Sequence, residues 1–197
     1  MRLSPFVACL PLVVFAAGCG DSVPPTPKGA WAVTFMDDGP NGSQGCPITG
    51  HNARVGEVTD TTKPTLLQDG QDGADITCTV KGTSSFTVNA RAQQGPTNLE
   101  VSISGLTGGA TEANPVKGQL AFASGNTVDT YQTTAEAPCN FYMTKGTQGV
   151  AAGRVWVAFD CPAVQVDAQS VCQLGNPPSG IYNYLIFENC AGAEEEE

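Results

Sequence analysis

The chain is 197 residues long and carries 9 Lys and Arg against 19 Asp and Glu, a formal net charge of −10, with charged residues at only 14%. Its 23 Gly and 14 Pro interrupt a background rich in Thr, Ser, Val and Ala, which argues against a helical bundle or coiled coil, since those need Ala, Leu, Glu, Lys and Arg at helical spacing. No basic stripe is present to neutralise phosphates, so nucleic acid is excluded as the default partner, and a single His removes most metal and acid–base chemistries.

Arg2 forms a short positive start, and residues 6–17 form an apolar run without charge. A run of about a dozen residues is too short to cross roughly 30 Å of hydrocarbon, but it has the length of a secretory apolar segment. It ends in Phe15-Ala16-Ala17-Gly18-Cys19, small residues directly before a cysteine, with Ala16 where Leu is usual. The segment resembles the lipobox of bacterial lipoprotein precursors. The resemblance implies removal of residues 1–18 as a signal peptide, diacylglycerol on Cys19 Sγ, acylation of the new amino group, and hence a membrane partner. In such lipoproteins an Asp directly after the lipidated Cys favours the inner membrane. Gly20 stands there and Asp21 comes one later, so the resemblance implies the outer membrane. Residues 19–29, with Pro24, Pro25 and Pro27, read as an extended, semi-rigid tether.

From Trp31 onward the dominant apolar period is two. Trp31, Val33 and Phe35 alternate with Ala32, Thr34 and Met36; Ile76, Cys78 and Val80 alternate with Thr77, Thr79 and Lys81. Phe86, Val88, Ala90 and Ala92 oppose Thr87, Asn89, Arg91 and Gln93, and Leu99, Val101 and Ile103 oppose Glu100, Ser102 and Ser104. In the same way Val155, Val157, Phe159 and Cys161 are set against Arg154, Trp156, Ala158 and Asp160. One apolar and one polar face is the pattern of antiparallel sheets packed on one side. Turn formers punctuate these runs: Asp38-Gly39-Pro40-Asn41-Gly42, Asp69-Gly70-Gln71-Asp72-Gly73, Gln94-Gly95-Pro96, Ser124-Gly125-Asn126 and Asn176-Pro177-Pro178. The expectation is all-β: a single antiparallel β-sandwich or jelly-roll-like domain over residues 30–190, with about eight to ten strands. Residues 191–197, ending in four Glu, read as an acidic disordered tail.

Cysteine parity supports export. Cys9 leaves with the leader and Cys19 takes the lipid, so Cys46, Cys78, Cys139, Cys161, Cys172 and Cys190 remain, an even set for three disulfides. Six cysteines allow fifteen connectivities; the preferred one is sequential, Cys46–Cys78, Cys139–Cys161 and Cys172–Cys190.

Chemistry is sparse. His51 is the one candidate base, in the polar stretch Thr49-Gly50-His51-Asn52, and reads as an exposed loop or strand-edge residue. No GxSxG or SxxK motif occurs, so no catalytic residue is assigned and the chain reads as a non-enzyme. Trp156, Tyr142, Tyr182 and Tyr184 could stack on sugars as a ligand platform, or pack under loops with their polar tips wet. Asp69, Asp72 and Asp75, with Asp37 and Asp38, could offer oxygen ligands to calcium, or simply turn the chain between strands. The expected role is binding or structural, towards a protein or glycan. The alternatives are an envelope hydrolase that cuts glycans with a carboxylate pair and a calcium-stiffened adhesin-like module.

Overall fold

The alternation read above produces strands because each apolar side chain on one face is matched by a polar neighbour on the other. The computed structural model describes residues 24–36, 46, 51–59, 63–127, 129–167 and 170–192. The leader 1–18, Cys19, the first part of the tether, Asp37, Asp38 and residues 193–197 lie outside the described residues.

The fold is all-β. In chain order the strands are β1 (Lys28–Met36), β2 (Asn52–Val55), β3 (Leu67–Gln68), β4 (Ala74–Gly82), β5 (Phe86–Gln94), β6 (Thr97–Leu106), β7 (Val116–Ala123), β8 (Tyr131–Gln132), β9 (Cys139–Tyr142), β10 (Gly149–Ala151), β11 (Arg154–Gln165), β12 (Val171–Leu174) and β13 (Asn183–Glu188). Among the described residues this makes thirteen strands, not eight to ten; β3, β8 and β10 are too short to show a period. Helix is confined to two single 3₁₀ turns. The strand path β12-β1-β13-β11-β8-β7-β6-β5-β4 pairs antiparallel throughout, with β9 bridging β7 and β11. Gly118 permits that crossing, since a Cβ there would lie 2.8 Å from Ser102 O and 2.9 Å from the Phe141 ring.

The sheet doubles back on itself. Val80 accepts from Gly153 N–H at 3.0 Å, and Thr79 of β4 forms a parallel bridge with Ala191. Inside the fold, fully buried Trp31 of β1 donates its indole N–H to Ala92 O of β5 at 3.0 Å. Phe35 packs on Phe122 (ring centroids 5.1 Å) and Phe141 on Phe159 (5.7 Å). Losing the Trp31 bond while leaving Ala92 O dry costs about 1–3 kcal/mol.

The edges of the domain shift accordingly. Lys28 already pairs with Glu188, and Pro27 O and Thr26 O accept from Asp69 N–H and Asn189 Nδ2, so residues 26–29 are bonded to the rest of the domain. At the other end Ala191 is bonded to β4 through both Cys78 O and Val80 N–H, and therefore belongs to the domain and not to the tail.

All six cysteines are paired, but the sequential connectivity holds only for Cys139–Cys161, which sit on paired strands β9 and β11. The other bridges are Cys46–Cys172 and Cys78–Cys190. Doubling back sets β4 beside the segment after β13, and β12 pairs with the end of β1, so sequence neighbours are not spatial neighbours. Separations of 126 and 112 residues close far longer loops than the sequential scheme would. In the chain-entropy account such loops are each worth about 4–5 kcal/mol against roughly 3 for short ones. A Cys78→Ser/Cys190→Ser double variant is expected to lose about 2–5 kcal/mol in denaturant unfolding. Non-reducing peptide mapping should link Cys78 to Cys190 and Cys46 to Cys172; a Cys46–Cys78 peptide would overturn the topology.

Candidate functional site

Strands β11 and β13 are buried on both faces. Residues 155–161 and 183–187 are all buried, so Trp156, Ala158 and Asp160 do not form the wet face expected of them. The inner side carries Val155, Val157 and Phe159. The outer side builds a second small core of Ala30, Val58, Tyr142, Trp156, Tyr184 and Ile186, with Leu66 and Tyr182 packed against it. A wet aromatic platform for sugars is therefore not what the structure holds. Tyr142 is fully buried and Trp156 and Tyr184 are each 8% exposed, whereas Tyr182 is half-buried.

Above the tyrosines, a polar row runs across three strands: Lys117 of β7, Asn140 of β9 and Asp160 of β11 occupy paired positions. Lys117 Nζ donates to Asn140 Oδ1, and Asn140 Nδ2 donates to Asp160 Oδ2 at 2.7 Å. Burial pushes the Asp160 carboxyl above its ordinary value, against the opposing pull of Asn140, Tyr142 and Lys117. Burial, with the Asp160 and Glu112 charges nearby, likewise raises the Tyr142 phenol. Glu112 joins this group by accepting from the Tyr182 hydroxyl at 3.1 Å. Asp160 and Glu112 are two carboxylates in one neighbourhood, as glycan hydrolysis needs, but Asp160 is only 8% exposed and offers little access to a glycosidic oxygen.

The acidic stretch 69–75 lies where β3 leads into β4. Gly70, Asp72 and Gly73 adopt left-handed backbone, with φ 82°, 51° and 74°, and carry the chain from β3 into β4. The three carboxylates serve different partners: Asp69 Oδ1 accepts from Ile76 N–H at 2.9 Å, Asp75 pairs with Arg91 at 2.8 Å, and Asp72 receives Gln71 Nε2. No group of three metal-ligating side chains gathers among the described residues.

His51 is neither loose nor exposed. It is half-buried beside Phe35, and its carbonyl accepts from Phe35 N–H at 2.9 Å. Its Nε2 lies 2.9 Å from Ser124 Oγ and its Nδ1 2.9 Å from the Asn126 amide nitrogen. Desolvation lowers the His51 pKa, which keeps the ring neutral near pH 7. A hydroxyl, a neutral imidazole and an amide in hydrogen-bond series are parts of a nucleophilic site, and sequence reasoning missed them because Ser124 is 73 residues away. Such a site also needs free N–H donors for a developing oxyanion. Here Ser124 N–H goes to Thr127 Oγ1 at 2.8 Å, Asn126 N–H points to Ser124 Oγ at 3.3 Å, and Ser124 is 5% exposed. The arrangement clamps the turn after β7 onto the residue preceding β2.

Comparison with protein-family models, with curated proteins and with solved structures gave no match. The reading of this chain thus rests on its own residues.

Two outcomes follow from the titrating groups. Because the folded-state pKa of Asp160 is raised, ionising it costs stability as pH rises through that value. Asp160→Asn should raise the melting temperature at pH 7.5, and the gain should vanish below about pH 3.8, where the acid is protonated in both states. A loss at pH 7.5 would show that the anion is the favoured form. For His51 the folded pKa is lowered, so its contribution is complete above about pH 6.5 and declines as pH falls through the folded value. His51→Gln should flatten that limb, and a fluorophosphonate should leave Ser124 unmodified; labelling of Ser124 would restore acyl transfer as a function.

Proposed function

We propose that this chain is a lipid-anchored protein of a bacterial cell envelope, held at the outer membrane through Cys19, whose β domain binds or supports a protein or glycan. The observation that carries this reading is cysteine parity. Three disulfides consume all six cysteines from Cys46 to Cys190, a pattern suited to an oxidising compartment and one that leaves Cys19 as the odd sulfur once the leader is removed. No described helix is long and apolar enough to cross a membrane.

The outer face of β4, β5 and β6 supports a binding role better than the tyrosine cluster does. It presents Thr77, Thr87, Asn89, Glu100 and Ser102 as an exposed hydroxyl, amide and carboxylate surface. Its register is held by Arg91, which pairs with Asp75 and sits opposite Glu100, and by the Ser102 hydroxyl donating to Asn89 Oδ1 at 2.9 Å. A polar surface of this kind suits hydrogen-bonded recognition of a hydrophilic partner.

Cys19→Ser is expected to move the protein from the membrane to the soluble fraction and to abolish incorporation of radioactive palmitate. Retention of the label in that variant would refute the anchor.

A further inference from the structure

Polar residues on the outer face of β4 to β7 are not scattered. Thr79 of β4 pairs with Asn89 of β5, Asn89 with Ser102 of β6, and Ser102 with Gln119 of β7, so hydroxyl and amide side chains stand side by side across four strands. Asn89, Ser102 and Gln119 are exposed. Thr133, directly after β8, extends the row and is itself held, since Leu120 N–H donates to its Oγ1 at 2.9 Å. Hydroxyls fix both amides: Ser102 Oγ donates to Asn89 Oδ1 at 2.9 Å, and Thr133 Oγ1 donates to Gln119 Oε1 at 2.7 Å. With their oxygens engaged, Asn89 and Gln119 offer Nδ2 and Nε2 as donors, and neither nitrogen has a partner among the described residues. Ser102 Oγ stands between them with lone pairs left to accept.

The spacing of the two donors selects among ligands. They stand on β5 and β7, two strands apart, a step of about 9.6 Å. An extended peptide repeats its same-side groups at every second residue, about 6.8 Å, and falls out of phase with that step. In a β-1,4-linked chain of N-acetylated sugars each ring is turned over relative to the last. Acetamido carbonyls along one edge therefore recur at every second ring, a repeat close to two strand spacings. A carbonyl is the acceptor that an amide N–H takes, and a sugar hydroxyl between two such carbonyls falls where Ser102 can accept. The row holds no ionisable group, and Arg91 beside it is bonded to Asp75 at 2.8 Å and lies opposite Glu100, so an uncharged polymer fits. We infer that this row binds an extended β-1,4-linked glycan rich in N-acetylhexosamine, lying across the strands with successive same-edge acetamido carbonyls on Asn89 Nδ2 and Gln119 Nε2. The inference deepens the polar-face reading and rests on it, but not on the Cys19 anchor.

The isotope-labelled full chain is titrated with tetra-N-acetylchitotetraose and, as a partner of the same linkage without acetamides, with cellotetraose, while amide NMR signals are followed. The N-acetylated tetrasaccharide should shift the side-chain amide resonances of Asn89 and Gln119. Asn89→Ala and Gln119→Ala, both at exposed strand positions, should each weaken binding about fivefold and together about 25-fold, at one neutral hydrogen bond apiece. Cellotetraose, which offers neither carbonyl, should likewise bind about 25-fold more weakly to the native chain. Backbone signals report that each variant keeps its fold. Equal binding of the two tetrasaccharides, or an affinity for the N-acetylated one that survives the double substitution, overturns the proposal. The absence of any shift overturns the glycan alone and leaves the same face open to a protein. Shifts at the Trp156 indole with none at Asn89 and Gln119 would overturn the row and the polar-face reading together.

Discussion

The structure depends on burying both faces of β11 and β13. A strand in an antiparallel sheet can leave one face to water, but Val155-Trp156-Val157-Ala158-Phe159 and Tyr184-Leu185-Ile186-Phe187 are apolar on both. The inner set is satisfied when the sheet doubles back and brings β4 to β7 over it. The outer set needs a second cover, supplied partly by Val58 and Leu66 on either side of the Glu57–Thr65 bridge and partly by the neighbouring tyrosines. Each cover has a chemical consequence. Closure from inside traps Trp31 and the aromatic stack around Phe35, Phe122 and Tyr131. Closure from outside leaves Asp160 only 8% exposed and places Trp156 among the residues lining a groove with Arg154 and Glu188.

The same constraint explains which parts of the fold could be read in advance. The β4-β5-β6 meander was legible to within a residue or two because one of its faces is wet, so Arg91, Asn89 and Ser102 alternate cleanly with Ala90, Val88 and Val101. The strand character of β11 was equally plain, but its wet face was not real. Its covering residues come from distant parts of the chain, and no local pattern records them. Disulfide connectivity was illegible for the same reason: the partner of Cys78 lies 112 residues on, at a sheet edge that exists only after the fold closes. Among the site residues, the Asp-Gly pairs gave away the turn at Gly70 and Gly73; His51, read as an exposed loop or strand-edge residue, does sit at the entry to β2 but is half-buried. Its bonds to Ser124 and Asn126 belong to tertiary structure.

The two polar clusters near the double-faced strands differ in how they are satisfied. Lys117, Asn140 and Asp160 form a closed series, each group facing the next across paired strands, so that a raised carboxyl pKa is here a consequence of packing and not evidence of catalysis. At the start of β11, Glu188 is shared between Lys28, its partner in register, and Arg154, whose Nε donates to it at 3.1 Å.

The second cluster lies where residues 24–27 join the domain, and the Cys78–Cys190 bridge lines the adjoining cavity. A covalent cross-link here resists local fraying, because Thr26 runs into β1 at Lys28 and, across the pairing of Lys28 with Glu188, meets the strand that leads into Cys190. β4 is held to the same point through Cys78. The entry of the chain at Thr26 is thus tied to three strands, β1, β13 and β4. The polar face of β4, β5 and β6 belongs to this cross-linked body, and a surface already ordered in that way lowers the entropic cost of meeting any partner.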